Sequence, residues 1–244
     1  MVYENCDVGK HKPSRRGGEK GSEKPMSFKD IREFISFLEE KGELRRIKTS
    51  VSRDLEITEL ADRTVKAGGP ALLFENVEGF QMPVAINLYG STQRMAWALG
   101  VEQLDDLTDR VRKLLRLAQQ PPEGMLNKAR TLGSLIGVAR TQPKIVKKAP
   151  CQQVVITGDN VDVNILPILK CWPMDAGRFI TLPLVISRNP ETGQRNVGTY
   201  RMQIYDAVTT GMHWQTHKVG AHHYRIGEES GQKRLDVAVA LGAD

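Results

Sequence analysis

The 244-residue sequence predicts an α+β protein, with an α/β amino-terminal part followed by a half built from antiparallel strands. Three observations predict it. From Met26 to Ala118, apolar residues recur at helical spacing in some segments and form short unbroken blocks in others, the alternation that gives a sheet covered by helices. Beyond Gln152 the texture changes to strand-like stretches joined by turn sequences such as Asn189-Pro190-Glu-Thr-Gly193 and Thr209-Thr-Gly211. The composition, 40% hydrophobic and 26% charged, is globular, and no run of about 18 apolar residues that could span a membrane is present.

Residues 1–25 are rich in Gly, Lys, Glu and Ser and lack an apolar period, which predicts a disordered tail ahead of Met26, itself a candidate initiator. The amino-terminal domain is expected over 26–120. Ser27 is the expected N-cap of its first helix with Asp30 three residues on, a variant capping box; Phe28, Ile31, Phe34, Ile35 and Leu38 share one face, and Gly42 closes it. A charged strand, Glu43 to Lys48, follows. A second helix is predicted from Glu56 to Ala67, with Ile57, Leu60, Ala61, Thr64 and Val65 inward and Gly68-Gly69 as its stop, leaving Glu56 and Glu59 on an exposed face.

Ala71 to Glu75 and Val84 to Leu88 read as short apolar strands, Ser91 caps a helix through Leu99, and another helix covers Leu104 to Ala118. A basic helical connector is expected over 121–150, between prolines. The second domain, 151–244, is read as the strands Gln153–Thr157, Leu182–Arg188, Asn196–Tyr205, Met212–His217 and Leu235–Leu241, forming an antiparallel sheet or barrel.

The formal charge of +6 includes a net +2 within the first 25 residues, and no basic helix or aromatic-interleaved patch stands out elsewhere, which argues against nucleic acid as a partner. Cys6, Cys151 and Cys171 are odd in number, without CxxC spacing or a signal peptide. That pattern suits a reducing cytoplasm, with Cys151 and Cys171 as packed thiols in buried turns.

The chemistry concentrates in Asn196-Val-Gly-Thr-Tyr-Arg201 and Met212-His-Trp-Gln-Thr-His-Lys218, which gather an amide, a guanidinium, imidazoles, an indole and an ammonium suited to an anionic ligand. On a strand, Asn196, Gly198 and Tyr200 share one face and Val197, Thr199 and Arg201 the other, unless a bulge at Gly198 re-aims the chain. Taken alone, these residues have plainer readings: Asn196 as a turn residue, Arg201 as a surface residue, Trp214 as core and His222-His223 as a solvated loop pair. His213 and His217 stand four apart, but no Cys or carboxylate joins them, so a zinc site is not expected.

Seven ordered phrases carry a resemblance: Leu55-Glu-Ile-Thr-Glu-Leu-Ala-Asp-Arg63, Ala67-Gly-Gly-Pro-Ala-Leu-Leu-Phe-Glu-Asn76, Ala149-Pro-Cys-Gln-Gln153, Ile165-Leu-Pro-Ile168, Cys171-Trp-Pro-Met-Asp-Ala176, Asn196-Val-Gly-Thr-Tyr-Arg201 and Val239-Ala-Leu-Gly-Ala-Asp244. With these the chain resembles the amino-terminal part of the UbiD family of decarboxylases, in particular the 3-polyprenyl-4-hydroxybenzoate carboxy-lyases of ubiquinone biosynthesis. The resemblance implies a split β-barrel flavin domain and non-oxidative decarboxylation with prenylated FMN, held with a divalent cation, usually Mn2+, and K+. It assigns Asn196 to the metal, Thr199, Tyr200, Arg201, His213, Trp214, Gln215 and Lys218 to the cofactor, and a catalytic role to Arg201. Related sequences often carry Arg followed by Gly where this chain has Lys218 followed by Val219.

The implied substrate is a 4-hydroxy-3-polyprenylbenzoate-type aromatic acid, with another hydroxybenzoate or an α,β-unsaturated acid as alternatives. The implied partners are a flavin prenyltransferase as cofactor supplier and further copies of the full-length chain in a homo-oligomer. Localisation is expected to be cytoplasmic, with peripheral association at the inner membrane left open. In the family the catalytic acid and a further metal-binding glutamate lie downstream of the phrase ending at Asp244, so residues 1–244 alone are expected to be inactive. A non-catalytic flavin-phosphate-binding module is the alternative of a different class.

Overall fold

A computed structural model describes residues 28–119, 146–147 and 149–242. The expected tail and nearly all of the expected connector lie outside the described residues, as do Cys6 and Ser27.

The first helix, α1 (Ile31–Glu40), is capped by Asp30, whose carboxylate accepts the Arg32 and Glu33 amides at 2.9 and 3.0 Å. Asp30 therefore takes the capping position expected of Ser27, because it stands one residue before the first helical turn, where a side-chain oxygen reaches the free amides. At the other end Gly42, at φ +74, lets the Glu43 amide return to the Leu38 carbonyl at 2.8 Å. A left-handed residue costs glycine little, and this closure turns the chain directly into β1 (Leu44–Ile47).

Helix α2 (Glu56–Lys66) links β1 to β2 (Ala71–Phe74), which lies parallel to it, and β3 (Val84–Ile86) adds antiparallel to β2. All four β2 residues are buried, with α1 packed against Ala71 and α2 against Leu72 and Phe74. Ile57 and Ala61 of α2 face inward as predicted, whereas Val65 is exposed: it lies in the last turn, beyond the edge of the sheet. Glu56 and Glu59 are exposed, as expected.

Helices α3 (Thr92–Ala98) and α4 (Leu104–Gln119) complete this part. Ser91 caps α3 through the Arg94 amide, and the fully buried Arg94 guanidinium meets Glu43 at 2.6 Å and the Gly69 carbonyl at 3.3 Å. That pairing ties α3 to the ends of α1 and α2.

The second half contains β4 (Phe179–Ile180), β5 (Leu184–Arg188), β6 (Arg195–Thr199), β7 (Met202–Ile204), β8 (Thr210–Met212), α5 (Val219–Glu229) and β9 (Val237–Ala240). Its strands form two antiparallel sheets, in the orders β4-β7-β8 and β6-β5-β9, where a split barrel was expected. The expected strand Asn196–Tyr205 is two strands in different sheets. Between them, Tyr200 buries its ring and Arg201 carries the chain across, so no ladder joins β6 to β7.

No bulge occurs at Gly198, since β5 and β6 pair residue for residue from Leu184↔Thr199 to Arg188↔Arg195. The strand expected over Met212–His217 stops at Met212, and Val219 onward is helical, which places His222 and His223 on α5 instead of in a loop. Residues 153–157 form no strand. Val154, Val155 and Ile156 are exposed and pair with no strand among the described residues. Cys151 is exposed and Cys171 partly buried, so the expectation of two packed thiols fails for Cys151.

The two halves meet around Asp54. Arg178 donates two hydrogen bonds to its carboxylate at 3.0 and 2.8 Å, and the Leu55 amide donates to the Lys170 carbonyl at 3.0 Å. No described helix is long and apolar enough to cross a membrane.

Candidate functional site

The sheet β6-β5-β9 presents an inner face made by alternation: Val185 and Ser187 from β5, with Asn196 and Gly198 opposite them on β6. Both Val185 and Ser187 are buried. Helix α5 covers this face with Gly220, His223 and Gly227, which fall at positions i, i+3 and i+7 and form one stripe.

Glycine sets the closeness of the layers. A Cβ on Gly198 would stand 2.7 Å from the Tyr200 ring, and one on Gly220 would stand 3.2 Å from both Tyr200 and Trp214. The Tyr200 hydroxyl accordingly reaches the first turn of α5 and accepts the Gly220 amide at 3.0 Å. Asn196 directs its amide nitrogen at the same hydroxyl in a long contact of 3.5 Å, which leaves its carbonyl oxygen available.

The amino terminus of α5 supplies the electrostatics. Helix-end N–H groups carry partial positive charge, and Lys218 immediately precedes the helix with its side chain exposed. The Trp214 indole nitrogen is buried beside Gly220 and has no hydrogen-bond partner among the described residues. An unsatisfied buried donor costs about 1–3 kcal/mol, so one at a helix amino terminus marks a place where an acceptor belongs. Asn196, Tyr200 and Trp214 thus lie together against the first turn of α5, with Lys218 just ahead of it.

Arg201 belongs to a second cluster. Its guanidinium lies 3.7 Å from the centroid of the Phe179 ring and donates to Asp175 at 2.7 Å, while Asp175 also accepts the Trp172 amide. Beside it, burial pushes the Cys171 thiol up and the Arg201 charge pulls it down, burial winning. Tyr200 and Arg201 both lie in the link between β6 and β7, outside either strand, and it is the crossing from one sheet to the other that sends Arg201 to Phe179 and Asp175. Thr199, His213 and Gln215 are exposed and join neither cluster through a side-chain hydrogen bond among the described residues.

The expected metal is poorly served. Among the described residues no three His, Cys, Asp or Glu side chains gather as a ligand set, and Asn196 offers one neutral oxygen, which does not by itself hold a hard divalent cation. A cavity of about 340 Å³ between the two halves, lined by Asp54, Lys170, Arg178, Ile204 and Tyr205 among others, contains none of the predicted site residues.

Sequence reading missed Ser187, Asp175, Phe179, Gly220 and His223. The stripe Gly220, His223, Gly227 was detectable as a helical period once 219–229 was read as helix. Ser187 and Phe179 carry no signal of their own.

Two family profiles match: the 3-octaprenyl-4-hydroxybenzoate carboxy-lyase N-terminal domain over residues 35–114 and the Rift-related domain of the same enzymes over 144–244. An uncharacterized protein of Archaeoglobus fulgidus is 50% identical over 219 residues, covering 90% of this chain and 44% of that protein. An uncharacterized protein of Synechocystis is 44% identical over 217 residues, covering 88% of this chain and 43% of that protein. The chain therefore spans less than half the length of these relatives.

Among solved structures, an evolved dimeric form of the UbiD-class enzyme HmfF from Pelotomaculum thermopropionicum, in complex with prFMN, aligns with a TM-score of 0.69 at 28% identity over 88% of this chain and 44% of that one. The closed form of the vanillic acid decarboxylase of Sedimentibacter hydroxybenzoicus aligns with a TM-score of 0.71 at 26% identity over 89% of this chain and 43% of that one.

Proposed function

The chain belongs to the UbiD family, and from that premise we propose that it carries the flavin-phosphate cradle of a prenylated-FMN-dependent decarboxylase acting on an aromatic or α,β-unsaturated carboxylic acid. The observation that carries this reading is the buried, partnerless Trp214 indole N–H beside the amino terminus of α5, with Lys218 and the Asn196 carbonyl at hand. When bound, the flavin supplies the electron sink that decarboxylation requires.

The chain's own residues bind and orient. The α5 amides, Trp214 and Lys218 would hold the phosphate, and Tyr200 fixes the distance between helix and sheet. Arg201, aimed by Phe179 and Asp175, would receive a substrate carboxylate by exchanging or sharing its Asp175 contact. A divalent cation would need oxygen donors beyond Asn196. A polyprenylated hydroxybenzoate substrate, a place in ubiquinone biosynthesis, oligomerisation and a prenyltransferase supplier all remain parts of the proposal that stand on the family alone.

Titration of residues 1–244 with FMN, followed by flavin fluorescence and 31P NMR, tests the cradle. Saturable binding with a shifted phosphate resonance, weakened about tenfold in Asn196→Ala and in Trp214→Phe, is expected. Absence of saturable binding, or variants that bind as well as the parent, defeats the reading.

A non-catalytic flavin-phosphate module is the second reading, favoured by one observation: the carboxylate that meets Arg201, Asp175, is already held in an ion pair and is no free general acid. Assay of 13CO2 release from 13C-carboxyl-labelled 4-hydroxybenzoate and cinnamate by residues 1–244 loaded with prenylated FMN and supplemented with the carboxy-terminal half of a full-length UbiD-family relative, which brings the acid that residues 1–244 are expected to lack, separates the two. Release supports the first, and flavin binding without release supports the second.

A further inference from the structure

Among the described residues two polar contacts join α5 to the sheet or to the residue directly after β6, and both flank Asn196. Just past the end of β6 the Tyr200 hydroxyl accepts the Gly220 amide at 3.0 Å and sits 3.5 Å from the Asn196 amide nitrogen. Across the ladder Ser187 is the direct register partner of Asn196 on the same face, so their Cβ atoms are cross-strand neighbours roughly 5 Å apart by sheet geometry. Ser187 Oγ in turn lies 3.0 Å from Nδ1 of His223 on α5.

Ser187 and His223 are both buried, at 2% and 4% exposure, in a half of the molecule whose buried cluster is otherwise Val185, Tyr200 and Met202. Burial and the neighbouring His222 hold the His223 ring towards its neutral form. A neutral imidazole protonated at Nε2 accepts the Ser187 hydroxyl proton at Nδ1 and fixes that hydroxyl's rotation. Two polar groups buried where apolar ones would pack need each other as hydrogen-bond partners, which fixes the distance between β5 and α5, and the residue the pair borders on the sheet is Asn196.

We infer that Ser187 and His223 are a positioning pair for Asn196: their hydrogen bond locks α5 to β5 at the height of the Asn196 carboxamide and holds that carboxamide against the Tyr200 hydroxyl. The inference rests on the flavin-phosphate reading for its consequence, but the positioning itself exists without ligand. Gly220 and Gly227 allow the helix to approach the sheet, Tyr200 fixes one end of the contact, and the Ser187–His223 bond fixes the other one turn further along. Neither residue touches the cradle, so each acts through Asn196.

The test uses residues 1–244 with selective 15N-Asn labelling, the Asn196 side-chain amide signals being assigned by their loss in Asn196→Asp. In Ser187→Ala and in His223→Leu, whose apolar side chain still fills the buried space, these signals move without any ligand, and the FMN dissociation constant rises about tenfold, the scale of losses seen when supporting hydrogen bonds of a site are removed. His223→Asn, which keeps a polar atom at the position of Nδ1, retains the parent signals and binds within about threefold of the parent.

Unmoved Asn196 signals in Ser187→Ala and His223→Leu overturn the inference, as does a His223→Asn variant no better than His223→Leu. A parent chain that fails to bind FMN defeats the flavin reading instead, while the NMR comparison still decides the positioning.

Discussion

The β1-β2-β3 sheet and the β6-β5-β9 sheet have three strands each, yet they are held in opposite ways. The first buries every residue of its central strand under helices on both sides, in two apolar clusters built around Phe34, Leu38, Ile57, Leu72 and Phe74. The second alternates, keeps Val185 as its one fully buried aliphatic side chain, and is joined to its helix by glycines, a tyrosine hydroxyl and a serine–histidine bond. Large exposed apolar side chains are frequent in the second half, among them Val154, Val155, Trp172, Met174 and Leu182. The lesson is a division of labour: area removed from water specifies the first region, while close approach and hydrogen-bond geometry specify the second, where the candidate site lies.

Ways to break this contrast can be ordered by size. Phe74→Ala should cost about 3–5 kcal/mol in urea unfolding, because it empties a fully buried aromatic site between helix and sheet. A loss under about 1 kcal/mol would mean that the first region is not held by its core.

Next, Gly198→Ala should cost about 1–3 kcal/mol and weaken FMN binding, since the new methyl collides with the Tyr200 ring at 2.7 Å. Gly177→Ala is the control: its nearest neighbour would be 3.5 Å away, an ordinary contact, so both stability and binding should stay near those of the parent. Equal effects at the two glycines would erase the distinction drawn for the second region.

A smaller effect is expected from Asp30→Ala, about 1 kcal/mol, through loss of the cap on the Arg32 and Glu33 amides, with FMN affinity unchanged. A change in affinity would reveal coupling between the halves that the contrast does not contain.

The smallest effect concerns pH. Burial depresses the His223 pKa in the folded chain. Below about pH 6.5, the unfolded value, the unfolded chain takes up a proton that folded His223 resists. Stability therefore falls as the pH drops from about 6.5 and levels once the folded pKa is passed, while above that window the group contributes no pH dependence. Comparing the parent with His223→Asn between about pH 5 and 8 isolates this component, and an identical pH profile for both would show that the histidine is not strained by its burial.

Much of the first region was legible in advance. The start of α3 was marked by its cap Ser91 and the ends of α1 and α2 by Gly42 and Gly68, while the cap of α1 proved to be Asp30 in place of Ser27; apolar blocks such as Ala71–Phe74 identified a buried strand. The misreadings cluster in the second region. Gln153–Thr157 has the residues of a strand but no partner edge, His222-His223 looked like a loop because two polar rings hid a glycine stripe, and Asn196–Tyr205 gave no mark of the crossing at Tyr200 and Arg201. The proposed cradle was half named in advance: Asn196 and Tyr200 stand in one of the ordered phrases and Trp214 and Lys218 in the stretch Met212–Lys218, whereas Ser187, Gly220 and His223 were not read as part of it.

By itself the sequence determined which segments are helices in the first half, the family to which the chain belongs, and that Asn196 and Gly198 share one face of a strand, because these follow from local periodicity, capping chemistry and ordered motifs. Only the tertiary structure decided that Arg201 leaves the cradle for Asp175 and Phe179, that the strand divides between two sheets, and that a serine on β5 meets a histidine on α5 thirty-six residues later. Those outcomes depend on which surfaces come within a few ångströms of one another. A contact between residues far apart in the chain is fixed by packing and by the hydrogen bonds left to satisfy, and neither is written in the spacing of residues along it.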